Sequence, residues 1–340
     1  MAETLHISRN VGAFQTSTSK KRYWIIFSAL VAASIFFIAG LLSYGNPVEF
    51  GTKGYWLIAQ RRLNSVIAML IVAMCQAVAT VAFQTVTNNR ILTPSIMGFE
   101  SLYIAIHTST VYFLGAAGLN NARTTTMFIG QLALMIALSL VLYSWLIADS
   151  ASNMHAMLLV GIVIGGGLGS LSTFMQRMLT PSEFDVLTAR LFGSVNNASP
   201  EFYPIAIPLV VAAVALMYLN SKKLNILALG RDVSINLGVS HRGNAIYTLV
   251  LVSVLMAVST ALVGPMTFLG FLVATLAYLV TDTYDHRYIL PLAFLIGFVV
   301  LAGAYFIMNH IFYAQGVVSI IIELVGGITF LVVILRKGRL

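Results

Sequence analysis

The stretch WIIFSALVAASIFFIAGLLSY, residues 24–44, decides the fold class because it holds no charged side chain. An α-helix rises about 1.5 Å per residue, so roughly 20 such residues cross a hydrocarbon core of about 30 Å. The basic residues Lys20, Lys21 and Arg22 come just before this stretch, and its apolar run is longer than that of a cleavable signal peptide. We therefore predict an uncleaved first membrane span.

The same pattern continues along all 340 residues. Their mean hydropathy is +0.92 and 9% of them are charged, whereas about 25% of the residues in soluble domains are charged. These values predict an all-α polytopic membrane protein with about ten transmembrane helices. The predicted spans are residues 24–44, 63–86, 94–115, 126–147, 155–176, 203–220, 245–263, 266–281, 288–307 and 317–335. Pro265 has no N–H to donate within a helix, so it separates the seventh span from the eighth.

The spans divide the chain into one membrane domain with two short tails. We predict a cytoplasmic N-terminal tail at residues 1–22, a transmembrane domain at 23–335 and a cytoplasmic C-terminal tail at 336–340. The cytoplasmic segment 221–243 is unusually polar for this chain, and the outer connection 177–202 is long enough for a short helix.

The distribution of Lys and Arg predicts the orientation. With the N-terminus inside, 13 of the 19 basic residues lie in cytoplasmic segments and 6 lie outside, as the positive-inside rule expects for a bacterial cell-membrane protein with cytoplasmic termini. The net charge of +8 therefore belongs to helix ends and does not indicate nucleic-acid binding. The cytoplasmic set is Arg9, Lys20, Lys21, Arg22, Arg90, Lys222, Lys223, Arg231, Arg242, Arg287, Arg336, Lys337 and Arg339, and the outer set is Lys53, Arg61, Arg62, Arg123, Arg177 and Arg190.

The motifs that the sequence lacks exclude several kinds of site. Cys75 is the single cysteine, so the chain has neither an intramolecular disulfide nor a CxxC metal motif. It has no P-loop for ATP and no HExxH metal motif. Gly161, Gly165 and Gly169 recur every four residues in an apolar span, which favours close helix packing over a phosphate-binding loop. We therefore predict no catalytic residue, metal site or cofactor in this chain.

Two polar stripes cross otherwise apolar spans, each on one helical face. The stripes are Gln76, Thr80 and Gln84 in the second span and Glu100, Tyr103 and His107 in the third. A charged side chain at the bilayer centre costs about 2.5–3.5 kcal/mol on insertion scales, so Glu100 should face a partner or a water-filled cavity. One interpretation is a translocation pathway along both stripes. The other is hydrogen bonding that holds the helices together.

Four motifs occur in the same order as in a known family of membrane proteins. The sequence NRILTPSIMG, residues 89–98, precedes the third span, and GPMTFLGF, residues 264–271, follows the seventh. The polar cytoplasmic segment holds ALG at residues 228–230 and LGV at 237–239, and DHR follows the eighth span at 285–287. Together these motifs resemble FecCD-type iron–siderophore permeases, the membrane subunits of binding-protein-dependent ABC importers, which are related to the vitamin B12 permease.

The resemblance implies a type II ABC importer permease that is not itself an enzyme. It implies two ABC ATPase subunits that carry ATP and Mg, a homologous second permease, an extracytoplasmic substrate-binding protein and a ferric siderophore as substrate. Arg90, Leu92, Ala274, Thr275 and Tyr278 depart from the usual family pattern. At these positions the chain resembles the branch of the family that takes up catecholate siderophores. That branch uses two different permease subunits, so a heterodimer is expected.

The resemblance also implies roles for particular residues. The connection 221–243 is implied to form two short helices that seat in a cleft of the ATPase, with the coupling residues Leu229, Gly230, Arg231, Asp232, Leu237, Gly238 and Val239. Its two glycines would permit tight backbone turns. By comparison with arginines at the outer start of the second helix in the related B12 permeases, Arg61 and Arg62 are implied to contact the binding protein. Anchoring at the lipid headgroups is the alternative for this pair.

Two other functions are compatible with the sequence. One is a haem or cobalamin permease of the same ABC class. The other is an ion-driven secondary transporter, in which Glu100 and His107 would form the coupling site. The cytoplasmic ALG and LGV motifs favour an ABC importer, because an ion-driven carrier has no ATPase to contact.

Overall fold

The computed structural model describes residues 12–121, 124–148, 154–310 and 318–337. Within these ranges the chain folds into thirteen α-helices and has no β-strand. The helices are α1 (Ser17–Ser43), α2 (Lys53–Val86), α3 (Glu100–Asn121), α4 (Thr125–Ala148), α5 (Met154–Gln176), α6 (Pro181–Leu191), α7 (Tyr203–Leu219), α8 (Ser221–Leu227), α9 (Arg231–Asn236), α10 (His241–Val263), α11 (Leu269–Val280), α12 (His286–His310) and α13 (Val318–Lys337). A π-helical turn, Ser95–Phe99, precedes α3.

Ten of these helices overlap the ten predicted spans, which confirms the all-α prediction. The other three are α6 in the connection 177–202, where a short helix is expected, and α8 and α9 in the polar segment 221–243. Six helices of the described chain are long and apolar enough to cross a membrane, and three shorter apolar helices accompany them.

The largest differences from the predicted boundaries are at α1 and α2, which begin seven and ten residues before the predicted spans. α1 begins inside the predicted N-terminal tail, because the Thr16 hydroxyl caps its first turn by accepting a hydrogen bond from the Ser19 N–H at 3.1 Å. α2 begins at Lys53 rather than at residue 63, so Arg61 and Arg62 lie inside the helix. A hydropathy profile detects the apolar part of a helix. It does not detect polar helical turns that precede this part, so the predicted boundaries come too late. Residues 1–11 and 338–340 of the predicted tails lie outside the described residues.

Helix α2 forms the centre of the bundle. Most of its side chains from Val66 to Val86 are buried, including those of its polar stripe, because other helices surround this part of α2. It packs against α7, α10, α11 and α12. In the most apolar window of α2, 83% of the residues are buried, compared with 11% in α1, so α1 lies at the periphery of the bundle.

Helices α10 and α11 are separated at the predicted break. α10 ends at Val263, Gly264 has a left-handed φ of 89°, and α11 begins at Leu269. The segment after α6 reaches the end of α10, where the Ser194 N–H donates to the Val263 carbonyl at 2.7 Å. A carbonyl that a helix end leaves without an intrahelical partner is therefore satisfied inside the bundle.

Glycines bring the start of α3 against α5. A Cβ atom on Gly165 would lie 3.1 Å from the Cα of Gly98, and a Cβ on Gly98 would lie 3.6 Å from the Gly161 carbonyl oxygen. The predicted close packing is therefore confirmed for Gly161 and Gly165. Gly169 differs, because a Cβ added there would meet no atom of the described residues within 4 Å.

Replacement of Gly165 by Val should destabilise the chain, because the new side chain would meet the backbone of Gly98. Overpacking of this kind costs about 1–3 kcal/mol, so the midpoint of thermal unfolding in detergent should fall by several degrees. Gly167→Val is the matched control on the same helix, since the described residues leave open space at Gly167. Equal losses in the two variants would contradict a packing role for Gly165.

Candidate functional site

The polar segment 221–243, which is predicted to be cytoplasmic, contains the two short helices α8 and α9. Leu224 and Leu227 anchor α8, with side chains that are 0% and 1% exposed. Gly230 separates the two helices with φ 93°, and Gly238 follows α9 with φ 76°. Both glycines adopt the left-handed conformation that other residues resist, which confirms the two predicted turns.

Most of the predicted coupling residues share one exposed surface. The exposed members are Leu229, Arg231, Asp232, Leu237 and Gly238, while Gly230 is half-buried. Val239 differs from the expected apolar surface, because its half-buried side chain packs against the core. Val233 and Ile235 are exposed on the same segment. We call the exposed residues of 229–238 the α8–α9 surface; its mixture of apolar and charged side chains is typical of a protein-binding surface.

Ser234 ties α9 to α8. Its buried hydroxyl lies 2.6 Å from the Gly230 carbonyl and 3.0 Å from the Ile226 carbonyl. Short helices are not stable alone, so this contact between the two helices helps to hold α9 in place. The sequence does not reveal the role of Ser234, because a serine in a polar segment has no distinctive pattern.

A hydrogen-bond network joins α8 to the membrane helices. In the His286 ring, Nδ1 lies 2.6 Å from Asn225 Oδ1, and Nε2 lies 2.7 Å from Thr85 Oγ1 of α2. Asn225 Nδ2 donates to Asp285 Oδ1 at 3.0 Å, and Arg287 pairs with Asp285 Oδ2 at 2.6 Å. We call these five residues the His286 network. The DHR motif marks three of them, whereas Asn225 and Thr85 lie 61 and 201 residues from His286 in the sequence.

Asp285 is the charged end of this network. Burial by itself would raise the pKa of the Asp285 carboxyl, but hydrogen bonds from Arg287 and Asn225 hold it below its usual value. The carboxylate is therefore ionised at neutral pH and remains paired with Arg287.

The polar stripe of α2 lies inside the protein. Gln76, Thr80 and Gln84 are 1%, 1% and 2% exposed. Gln76 donates to the Ser259 hydroxyl of α10 at 3.2 Å, and Gln84 donates to the Arg90 carbonyl at 2.7 Å. Because these contacts join parts of a single chain, they favour the interpretation in which the stripe holds the helices together.

The polar stripe of α3 is more accessible. Glu100 and His107 are half-buried, whereas Tyr103 is buried. Glu100 accepts a hydrogen bond from the Thr267 hydroxyl at 2.5 Å. The rings of Tyr103 and His107 have centroids 4.2 Å apart, and His107 Nε2 lies 3.0 Å from Gln131 Nε2. The structure therefore brings the rings of Tyr103 and His107 together, while Glu100 lies about one turn before Tyr103 and two turns before His107.

A groove of about 650 Å³ is lined by Ile104 of α3, by several residues of α5 and by the end of α6. Its α5 wall includes Gly166, Gly169 and Ser170. Cβ atoms added at Gly166, Gly167 or Gly169 would meet no atom of the described chain within 4 Å. We call these three residues the α5 glycine face. Small residues of this kind allow a second helix to approach closely in a membrane.

Arg62 has a partner within the chain. Its guanidinium donates to the Tyr44 carbonyl at 2.7 Å and to the Gly45 carbonyl at 3.0 Å, just after the end of α1. A cation in this position stabilises a helix C-terminus. Arg61 is exposed. Of the two arginines predicted to contact the binding protein, Arg61 is thus presented to the surroundings and Arg62 is engaged at the α1–α2 junction.

The fold is that of an ABC-transporter permease. A solved structure of a metal-chelate type ABC transporter in an inward-facing conformation matches with a TM-score of 0.74 and 20% sequence identity. The match covers 92% of this chain and 99% of that chain. At this level of identity the likeness shows the fold alone.

Sequence comparison defines the family. The model of the FecCD transport family matches residues 24–336. The petrobactin import system permease protein FatC of Bacillus anthracis is 52% identical over 333 residues, which cover 98% of this chain and 94% of FatC. The chain therefore belongs to the FecCD transport family, which confirms the resemblance of its motifs, and it is a multi-pass membrane permease subunit rather than an enzyme.

Two further relatives in the family have lower sequence identity to this chain than FatC has. The petrobactin import system permease protein YclO of Bacillus subtilis strain 168 is 36% identical over 310 residues, or 91% of this chain and 96% of YclO. The petrobactin import system permease protein FatD of Bacillus anthracis is 22% identical over 317 residues, or 91% of each chain.

Arg62→Glu should lower the stability of the purified chain, because a negative charge would replace the donor at the end of α1. Hydrogen bonds to charged groups contribute about 1.5–3 kcal/mol, so the midpoint of thermal unfolding should fall measurably. Arg61→Glu makes the same charge change at an exposed neighbour and should leave the midpoint near that of the wild type. Similar midpoints for both variants would show that Arg62 does not stabilise the α1–α2 junction.

Proposed function

We propose that this chain is a permease subunit of an ABC importer that moves ferric petrobactin, or a closely similar siderophore, into the bacterial cytoplasm. The observation that carries the proposal is the 52% identity with FatC over 98% of the chain. Petrobactin contains catecholate groups, which supports the catecholate class of substrate expected from the sequence.

The second permease of the importer is proposed to be a different chain. Two petrobactin import permeases of Bacillus anthracis differ in their similarity to this chain, which is 52% identical to FatC but 22% identical to FatD. This difference supports a heterodimer in which the chain takes the FatC position beside a FatD-like partner. The α5 glycine face supports the same arrangement, because it leaves room for a helix of the partner.

The α8–α9 surface is proposed to dock on the ATPase subunits, which would carry ATP and Mg. Leu229, Ile235 and Leu237 are 53–57% exposed on this segment, and clustered exposed apolar side chains mark a partner site. Arg231 and Asp232 add charged groups to the same surface. A coupling role accounts for both kinds of side chain, which a solvated loop would not require.

The translocation pathway is proposed to pass Glu100, Tyr103 and His107 beside the groove of α5. Support comes from the half-buried positions of Glu100 and His107 and from Glu100 Oε1, a buried atom with no hydrogen-bond partner among the described residues. Glu323 of α13 interacts electrostatically with Glu100, so acidic side chains of two helices share this region. The stripe of α2 is proposed to hold the bundle together without touching the substrate.

Both termini are proposed to be cytoplasmic, in a bacterial cell membrane. The 13-to-6 division of basic residues supports this orientation. The α8–α9 surface then lies in the cytoplasm, and Arg61 lies at the outer side, where a substrate-binding protein would deliver the ferric siderophore.

Cells that lack this chain should lose uptake of radioactive iron supplied as ferric petrobactin, and the intact gene should restore it. Haem and cobalamin uptake should not change. Depletion of ATP should abolish petrobactin uptake, whereas dissipation of the proton gradient at constant ATP should not. Uptake that follows the ion gradient, or a selective loss of haem or cobalamin uptake, would contradict the proposal.

Gly238→Val should leave the chain in the membrane but reduce the amount of ATPase that co-purifies with it. Valine does not readily adopt the φ of 76° found at Gly238, and the strain costs of order 1–3 kcal/mol. Gly238→Asn is the control, because asparagine tolerates the left-handed conformation. Equal recovery of ATPase with both variants would argue against a backbone requirement in docking.

A further inference from the structure

The His286 network has a defined hydrogen-bond direction. The His286 backbone N–H donates to Asn225 Oδ1 at 2.9 Å, so this atom is an acceptor and the ring Nδ1 at 2.6 Å must be a donor. A neutral ring with its proton on Nδ1 leaves Nε2 as an acceptor for the Thr85 hydroxyl. Asn225 Nδ2 then donates to Asp285. When the Thr85 hydroxyl donates to His286, the bonds run in one direction from α2 through α12 to α8, an arrangement in which each bond polarises the next.

The Thr85 hydroxyl contacts the Tyr278 hydroxyl of α11 and has two further acceptors within reach. It lies 2.7 Å from His286 Nε2 and 2.8 Å from the Val81 carbonyl of its own helix. A hydroxyl has one proton, so it can turn between these two acceptors. If His286 moves away, Thr85 is still satisfied within α2. The contact between α2 and α12 can therefore open without leaving a buried donor unpaired on α2.

The position of α8 depends on its contacts with the membrane helices, because a seven-residue helix does not persist alone. Leu224 and Leu227 supply apolar contacts. Such contacts are not directional, so they allow α8 to shift along the membrane helices. Asn225 supplies directional contacts to His286 and Asp285. Among the described residues, the hydrogen bonds of Asn225 are the directional contacts between α8 and the start of α12.

We propose that the connection Thr85–His286–Asn225 carries the movement of the ATPase-docking helices α8 and α9 into α2 and α12. This inference rests on the proposed docking function of the α8–α9 surface. In it His286 is a positioning residue: it sets the angle of α8 relative to the membrane helices and touches neither ATP nor substrate. Thr85 is the point at which the connection opens and closes.

The test compares substitutions that are nearly equal in volume. Thr85→Val removes the hydroxyl from the network, and Thr85→Ser keeps it. Thr248→Val is the matched control, because Thr248 of α10 is buried and its hydroxyl donates to the Asn244 carbonyl of its own helix at 2.8 Å. Each variant is assembled with the second permease, the ATPases and the binding protein in proteoliposomes. ATP hydrolysis and uptake of radioactive iron as ferric petrobactin are measured together.

For Thr85→Val we expect ATP hydrolysis to persist while iron transported per ATP falls about tenfold, within the range typical of coupling between two sites. Thr85→Ser and Thr248→Val should remain near the wild-type ratio. A fall in hydrolysis and uptake by the same factor, or an equal effect of Thr248→Val, would overturn the proposal, because the network would then only stabilise the fold.

Hydrogen exchange gives a readout that does not depend on the substrate. In the wild-type complex, addition of ATP and vanadate should change the exchange of amides at the start of α12, and Thr85→Val should abolish that change. If wild-type proteoliposomes fail to take up ferric petrobactin but show this exchange response, the proposed substrate is wrong and the network is still supported. An unchanged response in Thr85→Val would overturn the role of the network.

Discussion

The hydrocarbon core of a membrane offers no water, so every polar group of the chain in that layer needs a partner within the protein. The helices satisfy their own backbone, and several hydroxyls turn back onto it: Ser34 donates to the Leu30 carbonyl and Ser253 to the Leu249 carbonyl. Other polar side chains meet a second helix, as Gln76 of α2 meets Ser259 of α10. The few polar contacts between helices therefore determine how the helices are arranged.

The same constraint explains what the sequence predicts well. Long apolar runs have no stable alternative to membrane helices, so the ten spans follow from hydropathy. Gly161 and Gly165 signal close packing through their spacing, and Pro265 signals a break. The turns at Gly230 and Gly238 follow from the resemblance of the ALG and LGV motifs to a known cytoplasmic element.

Other features depend on pairings that no local pattern contains. Arg62 looks like a surface charge until α1 is placed beside α2. Val239 belongs to a motif whose other members are exposed, yet it packs inward. Thr85 and Asn225 meet His286 only because the chain brings distant segments together. The sequence also does not decide whether the polar stripes hold helices together or line a cavity, because polar residues recur with the same helical spacing in both cases.

The length of α2 has a consequence for how the protein sits in its membrane. Its 34 residues extend about 50 Å, whereas the hydrocarbon core is about 30 Å thick. The buried portion starts near Val66, and the turns before it carry Lys53 and Arg61. The first third of this helix is therefore suited to headgroups and water. In a thicker bilayer this third can enter the hydrocarbon layer while the buried part of α2 keeps its contacts, so a single long helix lets the protein fit membranes of different thickness.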